Sequence, residues 1–366
     1  MTSSFIISYT QDVTLNLIQG LTQINICPYI CQMDSLTQIV LGAAVGEAVL
    51  GKKVGNKAML YGAIAGTIPD LDTFVGNFFD TITAIEIHRG FSHSIVFAIV
   101  FAPIFGWLIS KIESKSVANW KNWSWLMFWG LFTHPLLDAH TTWGTQLFWP
   151  FDLRLAYKNI FVIDPLYTLP FLIFLILAMR LKRTDPKRKK FNQIGLIVSS
   201  IYLLVLTPAL KFYTFQQFED ALETQNIKYE RMDTRPTPLN TILWTANIET
   251  EDAFLIGNYS IFDTQPIDFY SIPKNYTLAE NLKDDPNLHR LIQISEGWYT
   301  FSSKNDHLYF NDLRFGNLDI EDPDSEFIFS YKLAKEHGEL TATETEKEMT
   351  DAKNLLPRLW TRILGN

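Results

Sequence analysis

The sequence predicts a multi-pass α-helical membrane bundle of about six segments, followed by a small α+β soluble domain with an antiparallel sheet. Apolar residues make up 47% of the 366 residues, and charged residues make up only 19%, below the roughly 25% usual in soluble domains. Residues 1–212 carry 17 Lys and Arg against 12 Asp and Glu, whereas residues 213–366 carry 14 against 27. A charge-poor half followed by an acidic half indicates a membrane domain and a soluble domain.

Six apolar runs predict the membrane segments. Four of them have about 15 to 20 residues, near the lower limit for crossing a hydrocarbon core of ~30 Å. Two earlier runs are shorter and rich in Gly and Ala, which allow helices to pack closely in lipid. The runs are Leu36–Leu50, Ala58–Ile68, Ser94–Ile109, Trp123–Leu137, Ile160–Met179 and Ile194–Leu210.

The basic residues of the connecting loops predict the orientation. Thirteen Lys and Arg lie in the loops on one side of these segments, and three lie in residues 69–93 and 138–159 on the other side. Because cytoplasmic loops are enriched in Lys and Arg, we expect a multi-pass protein of the cell membrane whose C-terminal domain is extracytoplasmic. Membrane lipids are the expected partners, and the net charge of −8 argues against nucleic acid.

These boundaries predict a membrane domain over residues 33–212 and an acidic domain over residues 213–366. Residues 1–32 fit neither part. They are either an additional amphipathic segment or the product of a start codon placed too early, with Met33 as the natural start, and the second interpretation is favoured. In the acidic domain, residues 343–363 predict a helix. Alternating and aromatic-rich segments predict five strands: Thr241–Ile248, Ala253–Phe262, Trp298–Ser302, His307–Phe310 and Glu326–Leu333.

Three clusters of ionisable residues lie at the ends of the predicted membrane segments. Such residues are expensive in an apolar environment, which makes them candidates for function. By the loop charges, all three clusters face the same outer side of the membrane. They are Asp70 and Asp72 in a Pro-Asp-Leu-Asp motif, His88 to His93 in a His-Arg-Gly-Phe-Ser-His motif, and His134 with Asp138, which share one helical face.

These side chains offer nitrogen and oxygen ligands without a thiolate, which favours Zn²⁺ or Mn²⁺ over Mg²⁺. A divalent cation activates water, so the clusters predict hydrolysis at the outer membrane face. Asp70 or Asp72 is expected to bridge ions and accept a proton. Arg89 is expected to pair with a substrate phosphate, because its planar guanidinium matches that anion.

The same motifs resemble the YdjM-like family of membrane-bound metal-dependent hydrolases. The similar stretches are Met33–Ala43, Pro69–Asp72, His88–Ser94, His134–Asp138 and Thr142–Thr145. The resemblance implies metal-dependent hydrolysis in a bacterial inner membrane. It also implies six metal ligands: Asp70, Asp72, His88, His93, His134 and Asp138. This chain has Gln38 where the family commonly carries a histidine. The resemblance therefore implies either one ligand fewer or a glutamine that binds substrate or water.

Three functions remain open on the sequence alone. The leading hypothesis is a metal-dependent hydrolase of phosphoester or lipid-linked substrates. The second is a non-enzymatic membrane protein, in which the His–Asp pairs hold helices together or relay ions or protons. The third places the function in the acidic domain, as a binding module anchored by the membrane domain.

Overall fold

The computed structural model describes residues 26–347 and 352–366 of the chain. A helical part comes first and two β-sheets follow. Of the predicted extension over residues 1–32, residues 1–25 lie outside the described residues. The helices of the first part are α1 (Ile26–Val54), α2 (Asn56–Thr67), α3 (Asp72–Gly76), α4 (Thr81–Ile87), α5 (Ile95–Ile112), α6 (Trp120–Asp138), α7 (Pro165–Met179), α8 (Pro186–Ile201) and α9 (Thr207–Thr224).

The first two helices pack closely because glycines lie at their contact. A Cβ atom added to Gly42 of α1 would lie 2.3 Å from the carbonyl oxygen of Gly62 in α2, so a larger residue would force the backbones apart. Gly66 of α2 is equally close to the backbone of Gln38. This packing places Gln38 beside the end of α2, where the short 3₁₀ turn Pro69–Leu71 begins.

The prediction of about six membrane segments is wrong. In the described part of the chain, two helical stretches are long and apolar enough to cross a membrane, Ile95–Ile112 and Pro186–Thr224. The second comprises α8, a π-helical turn and α9. Helix α7 has 15 residues, which at 1.5 Å per residue is about 22 Å and shorter than the hydrocarbon core.

The remaining predicted segments lie in α1, α2 and α6. Their apolar residues form much of two buried cores inside the helical part, which include Val40, Met59 and Leu131. A helix buried by neighbouring helices carries as much apolar sequence as one that faces lipid. The apolar runs in α1, α2 and α6 therefore reflect packing between helices rather than separate crossings of a membrane.

The acidic part contains two four-stranded antiparallel sheets rather than the single sheet predicted. Each sheet follows the order of its strands along the chain. The first comprises β1 (Arg231–Pro236), β2 (Leu243–Glu249), β3 (Ala253–Ser260) and β4 (Phe269–Pro273). The second comprises β5 (Tyr299–Lys304), β6 (His307–Asn317), β7 (Phe327–Glu336) and β8 (Glu339–Glu344). Helix α10 (Pro286–Ile294) lies between the sheets in sequence, and α11 (Ala352–Ile363) follows them.

The sheets pack against the loops at one end of the helical part. Ile82 of α4 is buried in the same apolar core as residues of β5 to β8. Glu86 of the same helix forms an ion pair of 2.5 Å with Arg290 of α10. The C-terminal part therefore holds in place the segment that connects α3 to the histidine-rich loop.

Candidate metal centre

Four side chains from three separate segments meet at one point. Asp70 lies in the 3₁₀ turn after α2, and His93 lies in a second 3₁₀ turn, Phe91–His93, immediately before α5. His134 and Asp138 lie one turn apart in the last part of α6. One ligand atom from each residue lies within 4.8 Å of the other three. We call this group the four-residue cluster.

Local sequence explains why these turns form. Pro69 opens the first turn; proline has no backbone N–H to continue the preceding helix but suits the first position of a new turn. Ser94 ends the second turn and caps α5, because its hydroxyl accepts a hydrogen bond from the backbone N–H of Phe97. Asp70 therefore lies in a turn after α2, and His93 lies in a turn before α5. At both places the chain can change direction.

The distances within the four-residue cluster are short and nearly equal. The two Nε2 atoms of His93 and His134 are 3.1 Å apart. Asp70 Oδ1 lies 3.4 Å from His93 Nε2 and 3.2 Å from His134 Nε2. Asp138 Oδ2 lies 3.2 Å and 3.3 Å from the same two atoms. A tetrahedral ion with bonds of about 2.0–2.1 Å has ligand atoms about 3.3–3.4 Å apart, so these separations suit one metal ion.

Burial supports the same conclusion. His93, His134 and Asp138 are almost fully buried, and Asp70 is nearly so. Asp70 Oδ2 and Asp138 Oδ2 have no hydrogen-bond partner in the part of the chain that the structure describes. Buried carboxylate oxygens are normally hydrogen-bonded or coordinate a metal. The donor set and these two oxygens therefore fit a cation.

Both histidines are oriented so that Nε2 faces the cluster. His134 Nδ1 donates a hydrogen bond of 2.6 Å to the carbonyl oxygen of Gly66, so its proton is on the side away from the cluster. His93 Nδ1 donates a hydrogen bond of 3.0 Å to the Ser92 hydroxyl, which in turn donates to Asp72 Oδ2, and the same nitrogen lies 3.3 Å from that carboxylate oxygen. A metal-binding histidine ordinarily gives its other ring N–H to a carbonyl or carboxylate in this way.

Asp72 and His88, which the resemblance implies are ligands, lie outside the four-residue cluster. Asp72 Oδ1 lies 3.0 Å from His88 Nδ1, and Asp72 Oδ2 accepts hydrogen bonds from the backbone of Arg89 and the hydroxyl of Ser92. A single carboxylate thus holds the loop that carries His93. The His88 ring packs edge-on against Trp143.

Arg89 and Gln38 both contact Asp138. Arg89 is only 4% exposed; its Nε lies 3.4 Å from Asp138 Oδ2, and its Nη1 donates to Thr141 Oγ1. Gln38 is 1% exposed, and its amide donates a hydrogen bond of 2.9 Å to Asp138 Oδ1. Each was predicted to bind substrate, whereas the structure places both as buried partners of this carboxylate.

The histidines and carboxylates change each other's protonation. Burial would raise the pKa of Asp70, but the nearby His134 and hydrogen bonds from both histidines hold it well below its usual value. The pKa of Asp72 is likewise held low against burial by His88 and His93. Burial would lower the pKa of His93, but the neighbouring carboxylates of Asp138, Asp70 and Asp72 raise it to about 9. Without a metal, the cluster therefore takes up a proton.

The sequence did not reveal every residue around the cluster. The Gly66 carbonyl and the Thr141 hydroxyl act through the folded backbone, and neither belongs to a recognisable motif. His140, two residues after Asp138, instead pairs with Asn159 Oδ1 at 2.9 Å. Because His140 lies two residues beyond Asp138, just after the end of α6, its side chain points in a different direction from that of Asp138. This spacing is the sequence signal that separates His140 from the candidate ligands.

Comparison with known proteins identifies the family of the chain. The family model described as YdjM inner membrane protein matches residues 33–215, half of the chain, and this range includes the four-residue cluster. No curated protein and no solved structure matches the chain. The resemblance inferred from the motifs is confirmed, and so is the inner-membrane character of the family. The chain belongs to the YdjM inner membrane protein family.

Proposed function

We propose that the chain is a membrane-bound metal-dependent hydrolase whose reaction takes place at the four-residue cluster. The observation that carries this proposal is the convergence of two imidazole nitrogens and two carboxylate oxygens at separations of 3.1–3.4 Å. The arrangement is buried, and each histidine is held by its Nδ1 atom. Two carboxylate oxygens have no hydrogen-bond partner among residues 26–347 and 352–366. A purely structural His–Asp pair needs none of these three features.

The donor set favours Zn²⁺ or Mn²⁺ over Mg²⁺. Two imidazoles suit transition metals, whereas Mg²⁺ prefers an all-oxygen shell and retains several waters. The residues that would hold the ion are Asp70, His93, His134 and Asp138. Gln38 keeps Asp138 Oδ1 engaged in a hydrogen bond, so that Oδ2 is the oxygen directed at the cluster.

When bound, a divalent cation lowers the pKa of a water and polarises a phosphoryl or carbonyl oxygen. Asp70 is the cluster member nearest to solvent, with 14% of its side chain exposed. Its Oδ2, which has no hydrogen-bond partner among the described residues, is positioned to accept a proton. Arg89 supplies a fixed positive charge beside Asp138, which favours an anionic substrate such as a phosphoester or a lipid-linked phosphate.

We further propose that the cluster and the sheets face the extracytoplasmic side. Lys111 lies in the last turn of the candidate span Ile95–Ile112, and Lys187, Lys189 and Lys190 lie in the first turns of Pro186–Thr224. Basic helix ends favour the cytoplasm. The opposite ends lead to His93 on one span and to the first sheet on the other.

The test is a combined metal and activity measurement on full-length protein purified in detergent without chelators. Elemental analysis is expected to find Zn or Mn, and hydrolysis of a chromogenic phosphodiester is expected to depend on that metal. Bound metal without hydrolysis of any phosphoester or phospholipid offered would contradict the enzymatic assignment. Absence of metal after incubation with Zn²⁺ and Mn²⁺ would favour the non-enzymatic alternative, in which the His–Asp pairs join helices.

A further inference from the structure

A short apolar segment protrudes beside the four-residue cluster. Between Leu71 and Phe79, four of the five large apolar side chains are more than half exposed, with Phe78 at 88% and Phe74 at 63%. Monomeric soluble proteins rarely expose so many large apolar side chains in one short stretch, and such patches mark membrane or protein contacts. We call residues 71–79 the apolar segment.

The apolar segment begins where the cluster is held together. Asp70 immediately precedes it, and Asp72, near its start, fixes the loop that carries His93 through His88 and Ser92. The turn Pro69–Leu71 packs on the turn Phe91–His93. Any surface that covers the apolar segment therefore lies close to the candidate metal centre.

The candidate membrane span Ile95–Ile112 begins directly after the turn Phe91–His93, which contacts the turn at the start of the apolar segment. Phe91, which is 40% exposed, makes ring contacts with Phe97 and Phe101 of the span Ile95–Ile112 and with Trp149. Aromatic residues at the end of a span are typical of the boundary between lipid and water. The exposed side chains of the span, Ile99 and Ile104 among them, extend this apolar surface away from the cluster.

We propose that the apolar segment inserts into the lipid bilayer at its outer surface, beside the four-residue cluster. It has no Lys or Arg, so burial of its apolar side chains, rather than attraction to anionic headgroups, drives the insertion. Helix α4, which follows it, is fixed to the second sheet by Ile82, so the segment is presented from a rigid base. If the proposed hydrolase function holds, the substrate is a phosphoester carried by the membrane.

The direct test is spin labelling of full-length protein in liposomes, with Cys27 and Cys31 replaced by Ser. A label at Phe78→Cys is expected to collide several-fold more often with oxygen, relative to a water-soluble nickel complex, than a label at Lys304→Cys. Lys304 has a 73% exposed side chain in the second sheet and serves as the aqueous control. Because Phe78 is itself exposed, the substitution leaves the packed interior unchanged.

Two outcomes would overturn the proposal. Equal access of the nickel complex to both labels would mean that the apolar segment lies in water. Protection of the Phe78 label from both reagents would mean that protein covers it, such as a second copy of this chain. This test needs no catalytic activity, so its failure is distinct from failure of the proposed function.

A paired assay tests the consequence for the substrate. In the double variant Phe74→Ser and Phe78→Ser, hydrolysis of a phospholipid in vesicles is expected to fall several-fold, while metal content and hydrolysis of a water-soluble phosphodiester stay unchanged. An equal loss of both activities, or no loss of either, would contradict a role in reaching membrane-borne substrate.

Discussion

Two buried groups of ionisable residues in this protein differ in how their charges are balanced. The first is the four-residue cluster. The second, which we call the junction charges, joins the loop after α6 and helix α9 to the two sheets. Lys158 contacts Asp233 at 2.5 Å and Glu296 at 2.6 Å, Lys211 lies 3.7 Å from Asp233, and Arg314 contacts Asp312 at 2.7 Å, so three cations face three carboxylates. The four-residue cluster is buried, whereas in the junction charges Lys158, Arg314 and Asp312 are buried and Asp233 and Glu296 are partly exposed. Both groups connect distant parts of the chain.

The junction charges neutralise each other, whereas the four-residue cluster does not. Lys158 and Arg314 lie among carboxylates that they contact directly. The four-residue cluster instead combines two carboxylates with two imidazoles, and Arg89 balances the charge of Asp138 alone. With both imidazoles neutral, as a metal ligand requires, the two carboxylates outnumber the one arginine beside them. This negative charge, together with nitrogen lone pairs directed at the same point, is typical of a cation site. The junction charges need no ligand to be stable.

Removal of one imidazole from the four-residue cluster is expected to have the largest effect on metal binding. In His93→Ala, bound metal is expected to fall to background and hydrolysis with it, because the remaining three ligand atoms leave the site open on one side. His140→Ala is the matched control, since His140 pairs with Asn159 outside the cluster. Elemental analysis of both purified variants decides the matter. Undiminished metal in His93→Ala would contradict the assignment.

The four-residue cluster is also expected to bind metal more tightly as the pH rises. The raised pKa of His93, about 9, means that the metal-free ring carries a proton at neutral pH. The pKa of His134 is also raised, against burial, by Asp70 and Asp138. A metal ion must displace the protons of both rings, so its affinity should increase at least about tenfold per pH unit between about pH 6 and pH 8. Competition with a chelator at several pH values measures the slope. An affinity independent of pH would show that His93 is not a ligand.

The residues that orient the ligands are expected to have smaller effects. Asp72→Asn weakens the hold on His93 Nδ1 and on the loop from His88 to Ser92, so metal affinity should fall about 10–100-fold. The control is Asp80→Asn, because Asp80 caps α4 through the backbone of Thr83 without contacting the cluster. Chelator competition should separate the two variants, and equal affinities would contradict the role given to Asp72.

The junction charges are expected to affect stability without affecting the metal. Lys158→Ala leaves Asp233 and Glu296 without their shared partner, which should lower the free energy of unfolding by about 1–3 kcal/mol. The expected loss of stability is modest because Asp233 and Glu296 are both partly exposed to solvent. Thermal unfolding in detergent measures the change, and Lys304→Ala provides a surface control. A loss of metal in Lys158→Ala would mean that the two groups are coupled.

Four of the six candidate ligands predicted from the sequence meet in the four-residue cluster, whereas the predicted number of membrane segments was wrong. His134 and Asp138 are four apart on one helix, and this spacing alone places them on one face. Pro69 and Gly90 marked the breaks from which Asp70 and His93 turn towards α6. The sequence could not show which of Asp70 and Asp72 faces the cluster and which orients His93. The two residues are only two apart, and the directions of their side chains depend on how the loop folds.

The fold was harder to predict for a different physical reason. Apolar runs in α1, α2 and α6 are buried by neighbouring helices, and composition does not distinguish that environment from lipid. The strands β1, β4 and β8 were missed because their sequences carry Arg, Pro and Glu and do not alternate cleanly. The longer, aromatic-rich strands β3 and β6 were recognisable from sequence.

The central claim is that one metal ion is held by Asp70, His93, His134 and Asp138. X-ray absorption spectroscopy of metal-loaded, full-length protein tests it most directly, because the spectrum reports the number of imidazole ligands. We expect the metal to be surrounded by nitrogen and oxygen ligands, with two imidazoles in the wild-type protein and one in His134→Ala. A shell without imidazole, or one that His134→Ala leaves unchanged, would contradict it.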